Sequence, residues 1–125
     1  MKLLESGENY LETILILQVT KEYVRSIDVA NALSVSKPSV SRAVSNLKKT
    51  GYLLVSEDGC LHLTEIGLKI AKQIYERHRF LTEFFMDIGV LELTAAAEAC
   101  RMEHVISQDT FIKWKEAYKK EKNHK

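Results

Sequence analysis

The dipeptide Asp58-Gly59 stands between two short β-prone runs, residues 52–55 and 60–63, and narrows the possible folds more than any other feature of this chain. Asp-Gly flanked by apolar runs is a strong local hairpin signal, because tight hairpin turns need backbone conformations that Asn, Asp and Gly adopt at least cost. Immediately upstream lie two short helical patterns. The first, residues 26–33, is capped by Ser26 and carries Ile27, Val29, Ala30 and Leu33 as its apolar positions. After the turn Ser34-Val35-Ser36, a second begins near Lys37-Pro38, with the chain's only proline in the first turn, where a missing N–H costs nothing. Val40, Ala43, Val44 and Leu47 form its buried stripe, leaving Ser39, Ser41, Arg42, Ser45 and Lys49 outside it, and Gly51 ends it. Two short helices around a tight turn, the second polar and basic on its outer face, followed at once by a hairpin, predict a winged helix-turn-helix.

Charge supports that reading by its distribution. The net charge is only +1, yet no acidic residue falls between Ala30 and Ser56, a stretch holding Lys37, Arg42, Lys48 and Lys49. Such a segment is a local footprint suited to phosphates, although a solvated helix face has the same composition. With 46% hydrophobic and 28% charged residues the chain is expected to be an ordinary soluble globular protein. No apolar run is long enough to span a bilayer, the first residues lack a signal-peptide pattern, and the two cysteines have no framework spacing. A cytoplasmic protein is expected.

The rest of the chain reads as helices. Residues 6–18 form one, joined to the next by a polar link over residues 19–25. Thr64 and Glu65 open a long one through about residue 86, Gly89 interrupts the pattern, and residues 94–106 form another. Ser107 or Asp109 caps a last helix anchored by Trp114 and Tyr118, whose basic end, residues 113–125, reads as a solvated helix end and frayed tail. The expected organisation is mainly α with a small β-hairpin: a winged-helix DNA-binding domain over residues 1–64 and a second, helical domain over residues 65–125.

The segment Glu98-Ala99-Cys100-Arg101-Met102-Glu103-His104 carries the chemistry. In a helix, Cys100, Glu103 and His104 fall at i, i+3 and i+4, putting a thiolate, a carboxylate and an imidazole on one face. These groups ligate divalent transition metals. A buried cysteine beside a surface Glu-His pair would give the same letters. His78 lies mid-helix between Arg77 and Arg79, and Asn9 and Glu12 place two oxygen donors one turn apart; each also has a plain reading as a surface histidine, a first-turn cap or a solvated face.

Taken in order, Glu8-Asn9-Tyr10-Leu11-Glu12-Thr13, Val35-Ser36-Lys37-Pro38-Ser39-Val40-Ser41, Leu63-Thr64-Glu65-Ile66-Gly67, Glu76-Arg77-His78-Arg79 and residues 98–105 resemble the diphtheria toxin repressor family of iron- and manganese-dependent transcriptional regulators. The resemblance runs from about Ser6 to Phe111. It implies a metal-dependent repressor of metal-ion homeostasis, a homodimer whose first helix closes onto the metal lobe and thereby spaces two recognition helices on a palindromic operator. Position by position it implies metal ligands at Asn9, Glu12, His78, Cys100, Glu103 and His104. The chain departs from both branches of the family. The manganese branch has carboxylates where Asn9 and Cys100 stand here. The iron branch has a thioether in place of Asn9, a carboxylate at the position of Thr82 (Glu83 follows one later) and an ancillary-site histidine at the position of Ala96. An iron-type ancillary site is therefore in doubt, whereas Glu12 fits a manganese-type second site. As the chain stops near Lys125, the SH3-like domain found in part of the family is expected to be absent.

Ligand softness decides the metal only weakly. A thiolate favours Fe(II), Co(II) or Zn(II), while Asn9 and two carboxylates pull towards harder ions. Fe(II) is the expectation, Mn(II) the next, with Zn(II) or Co(II) binding in vitro. For DNA, Ser36, Lys37, Pro38, Ser39, Ser41 and Arg42 are the expected contact residues, Lys37 and Arg42 reaching phosphate or guanine; the acidic hairpin tip, Glu57-Asp58, is expected to contribute little. The rivals are a metal-independent winged-helix regulator, an enzyme using Cys100 and His104, and a structural zinc module. Catalysis lacks a glycine-rich phosphate loop and oxyanion donors, and Cys60 with Cys100 lacks paired zinc spacing. No membrane partner and no organic substrate are expected.

Overall fold

The computed structural model describes residues 5–123. Residues 1–4 and 124–125, on which part of the expectations for the N-terminus and the basic tail rest, lie outside the described residues. In chain order the elements are α1 (Glu5–Thr20), α2 (Ser26–Leu33), α3 (Lys37–Lys49), β1 (Leu53–Val55), β2 (Leu61–Leu63), α4 (Glu65–Asp87), α5 (Glu92–Met102) and α6 (Gln108–Asn123). Two compact units divide within α4, after Gln73.

The first unit is a winged helix. Leu11 and Ile14 of α1, Val29 and Ala30 of α2, Val40 and Leu47 of α3, Leu53, Leu61 and Ala71 of α4 form one buried cluster. Full burial of each large aliphatic side chain is worth about 1.5–3 kcal/mol, which is how elements as short as the eight residues of α2 stay folded. Ser26 is not the cap of α2 as the sequence suggested. Arg25 holds that position, and the Asp28 carboxylate reaches back to its N–H at 2.9 Å. Lys21 bonds the same carboxylate at 2.8 Å and, with the Arg25 N–H, holds Asp28 below its ordinary pKa.

Ser36 caps α3, its hydroxyl accepting the Ser39 N–H at 3.2 Å, and Pro38 sits in the first turn. The helix closes through Gly51, whose φ of +88° lets the Gly51 and Tyr52 N–H groups turn back to the carbonyls of Lys48 and Leu47. The hairpin pairs Leu53 with Leu63 and Val55 with Leu61, antiparallel. Residues 19–25, read from sequence as a polar link, contain a buried exception: Val24 is 2% exposed and its carbonyl accepts the Leu61 N–H at 2.8 Å. Arg25 forms a bridge to Cys60. This short third segment covers an edge that would otherwise offer unpaired backbone groups.

In the second unit, α4 and α6 meet through aromatic rings. Phe80 and Phe84 stand edge-on to Trp114 and Tyr118, with centroid separations of 5.1 to 5.8 Å. Phe80 also meets Phe111, the one buried residue of α6, at 5.5 Å. Ser107 caps α6 by accepting the Thr110 N–H at 3.1 Å, so of the two cap residues expected it is Ser107 that serves. Among the described residues no helix is long and apolar enough to cross a membrane.

Candidate metal centre and DNA-reading helix

One feature of the expected site is corrected by the backbone. The sequence pattern predicts a helix over residues 94–106, but α5 runs from Glu92 to Met102. Glu103 is its cap, still in right-handed conformation at φ −59° and ψ −24°, and His104 lies in the following turn. Arg77 of α4 meets this turn: its guanidinium donates to the Glu103 carbonyl at 3.0 Å and to the Ile106 carbonyl, acceptors that lie beyond the last helical hydrogen bonds of α5. The i, i+3 relation of Cys100 to Glu103 survives, while His104 is presented from a turn.

Within the second unit the structure brings together three of the six expected ligands. The Glu103 side chain is fully buried. Its Oε2 lies 2.9 Å from Nδ1 of His78, and its Oε1 lies 3.3 Å from Nε2 of His104 without making a hydrogen bond. A buried carboxylate oxygen lacking a hydrogen-bond donor is costly, and a carboxylate flanked by two imidazoles is a donor set a divalent cation satisfies. The residues present therefore fit a metal. Cys100 is a half-buried thiol, in no disulfide, one turn before Glu103. The departures noted at Thr82 and Glu83 are physical ones. The Thr82 hydroxyl donates to the His78 carbonyl at 2.7 Å, and the exposed Glu83 pairs with Lys122 at 3.4 Å. Neither substitutes for a carboxylate beside His78.

In the first unit, Asn9 and Glu12 lie one turn apart on α1. Asn9 is half-buried and its carbonyl accepts the Thr13 hydroxyl at 2.8 Å. Glu12 is 5% exposed; it and Glu103 are the buried charged residues among those described.

Of the residues expected to contact DNA, Ser36, Lys37, Pro38, Ser41 and Arg42 are exposed and Ser39 is half-buried. Ser36 and Ser39 also share a hydroxyl-to-hydroxyl hydrogen bond of 2.9 Å, so they shape the start of α3 as well as line it. At the wing, the Ser56 hydroxyl and the Cys60 N–H bind the Asp58 carboxylate and lower its pKa to about 2. The tip is therefore firmly anionic, and Arg25 Nε donates to the Asp58 carbonyl at 3.2 Å beside it. Arg77 and Val24 are the residues that sequence reasoning missed. Arg77 stood next to His78 in the motif, yet nothing local signalled that its fork would grip a turn 26 residues away.

A helix-turn-helix with a wing, together with a helical unit holding a buried carboxylate between two histidines, defines the class of metal-responsive DNA-binding regulators. The sequence matches the family described as "Iron dependent repressor, N-terminal DNA binding domain" over residues 2–61 and "Iron dependent repressor, metal binding and dimerisation domain" over residues 64–120. The chain belongs to this family of metal-dependent transcriptional repressors. It is 38% identical over 102 residues to the HTH-type transcriptional regulator MntR of Lysinibacillus sphaericus (strain C3-41), covering 82% of this chain and 73% of that one. It is 37% identical over 109 residues to the iron-dependent repressor IdeR of Mycobacterium tuberculosis (strain ATCC 25618 / H37Rv), covering 86% of this chain and 47% of that one. Among solved structures, the manganese regulator SloR superposes with a TM-score of 0.81 at 26% identity, covering 90% of this chain and 53% of that one. The chain thus spans about half the length of IdeR and SloR and nearly three quarters of this MntR.

Proposed function

We propose that this chain is a cytoplasmic, metal-activated repressor of metal-ion homeostasis, a homodimer that grips a palindromic operator when Fe(II), or next in preference Mn(II), is held by Asn9, Glu12, His78, Cys100, Glu103 and His104. The observation that carries this reading is Glu103: a fully buried carboxylate with one oxygen lacking a hydrogen bond, set between two imidazoles. When bound, the divalent ion supplies a charge that satisfies carboxylate, imidazole, thiolate and amide donors contributed by different helices.

The residues divide the work. Glu103 offers the buried charge, His78 and His104 flank it, and Cys100 adds the soft donor that tilts preference towards Fe(II). Asn9 and Glu12 carry the consequence to the DNA-reading half, because α1 belongs to the same buried cluster as α2 and α3. Metal affinity shifts the regulator towards its DNA-competent form only to the extent that this form holds the donors better. On α3, Lys37 and Arg42 supply phosphate or guanine contacts and Ser36, Pro38, Ser39 and Ser41 lie against bases or sugars. The chain acts by binding alone, without catalysis, and the relatives MntR and IdeR are a transcriptional regulator and a repressor.

Anaerobic titration of the purified chain with Fe(II), Mn(II) and Co(II) tests the ligand set. Glu103→Gln and His78→Ala are expected to weaken each ion at least about tenfold, and Cys100→Ala to lower Fe(II) affinity more than Mn(II) affinity. Unaltered binding in Glu103→Gln would remove the foundation of this reading.

A further inference from the structure

The metal donors of the second unit sit on two segments distant in sequence, and one side chain outside the donor set ties them. Arg77 directly precedes His78 on α4. Its guanidinium donates to the carbonyls of Glu103 and Ile106 and, at 2.8 Å, to Oε1 of Gln108. Glu103 is therefore held at both ends, its peptide by Arg77 and its carboxylate by His78. The guanidinium also lies over the Phe111 ring, 5.6 Å from its centroid, which fixes the plane of the fork.

A permanent cation next to a cation-binding site opposes metal charge, so its presence needs a compensating reason. That reason is geometric. The Glu103 carbonyl it takes lies at the C-terminal cap of α5, where backbone partial charge is negative, and a planar five-donor fork can span this acceptor, the Ile106 carbonyl and Gln108 in a fixed geometry that a lysine ammonium lacks.

We infer that Arg77 is a positioning residue for metal binding: it locks the turn over residues 103–107 so that Glu103 and His104 are arranged before the metal arrives. This rests on the metal-site reading proposed above. A donor set arranged in advance binds more tightly, since less ordering remains to be done on binding, and supporting groups around metal ligands typically change affinity about 10- to 100-fold.

The test uses the full chain with two measurements. Hydrogen exchange on metal-free protein reads the turn itself, and Co(II) titration followed by its visible absorption reads the donors. Arg77→Met is expected to raise exchange of the amides of residues 103–107, to weaken Co(II) about tenfold or more and to change the spectrum. Arg77→Lys is expected to fall between Met and the unaltered chain. Trp114→Leu, which loosens the same helix pair at its contacts with Phe80 and Phe84, is the control: it should lower the melting temperature while leaving the Co(II) spectrum intact. If Arg77→Met does not fold, Gln108→Ala removes one of the contacts and is expected to weaken Co(II) about threefold. Wild-type affinity and spectrum in whichever of Arg77→Met and Gln108→Ala folds would overturn the inference, leaving Arg77 a fold-stabilising residue only. Failure of the unaltered chain to bind Co(II) would instead overturn the metal site, whatever the exchange data show.

Discussion

Gly67 shows how a single position couples the wing to the helix behind it. A Cβ built there would lie 2.0 Å from the Tyr52 carbonyl oxygen, which itself accepts the Thr64 N–H at 3.2 Å. Thr64 completes the junction, its hydroxyl donating to the Gly51 carbonyl at 2.7 Å and accepting the Gly67 N–H at 3.1 Å. Gly67→Ala must displace backbone rather than a flexible side chain, and is expected to cost about 1–3 kcal/mol in urea unfolding; a midpoint unchanged from the parent would contradict the packing described. At the wing tip, Asp58 has its pKa lowered from 3.8 to about 2, chiefly by the Ser56 hydroxyl and then by Cys60. A carboxylate held down in the folded state contributes stability above its unfolded pKa and loses that contribution as pH falls towards the folded value. The contribution of Asp58 should therefore be intact at neutral pH and fade between about pH 4 and pH 2. Carbon-detected NMR of the carboxyl should find a midpoint near 2 that Ser56→Ala raises; a midpoint at the ordinary value would refute the turn geometry. Residue identity alone displayed the candidate donors, since Cys, Glu and His in one short segment are chemically conspicuous. It did not display Arg77, because hydrogen bonds to carbonyls leave no trace in the sequence of the segment that accepts them.

Helices and hairpin were legible where local chemistry sets their ends. Ser36 with Pro38, Gly51 and Asp58-Gly59 each impose a backbone conformation that few residues favour, so α3 and the wing lie within a residue of where the pattern puts them. Capping at Ser36 is expected to be worth about 1 kcal/mol. Ser36→Ala should lose it and Ser36→Asp should keep it, while the added charge of the aspartate at the DNA-reading face weakens DNA binding; equal melting temperatures for Ala and parent would show that the cap contributes nothing. The end of α5 was not legible. Periodicity carried the helix to residue 106, whereas α5 ends at Met102 and carbonyls of the turn that follows are bound by Arg77. Val24 was hidden for a related reason: one buried residue beside a single bridge position, Arg25, in a polar stretch has no period to detect.

At the scale of the whole molecule, a chain of net charge +1 is expected to read DNA with a locally basic surface. Arg42 and Lys37 are exposed on α3, whereas the wing tip is anionic, so phosphate attraction rests on few cations. Arg42→Ala is expected to weaken operator binding and, if it contacts phosphate, to reduce the slope of log affinity against log salt by about 1. An unchanged affinity and slope would mean that α3 is turned differently on the duplex. The most direct test of the account is the affinity of the purified chain for an operator selected from random duplexes in the presence of Mn(II), measured anaerobically with Fe(II), with Mn(II) and with chelator. Donor residues that favour the DNA-competent form predict binding tighter by about 10- to 100-fold with either ion than with chelator, within the range usual for coupled sites. Equal affinity in all three conditions would contradict it.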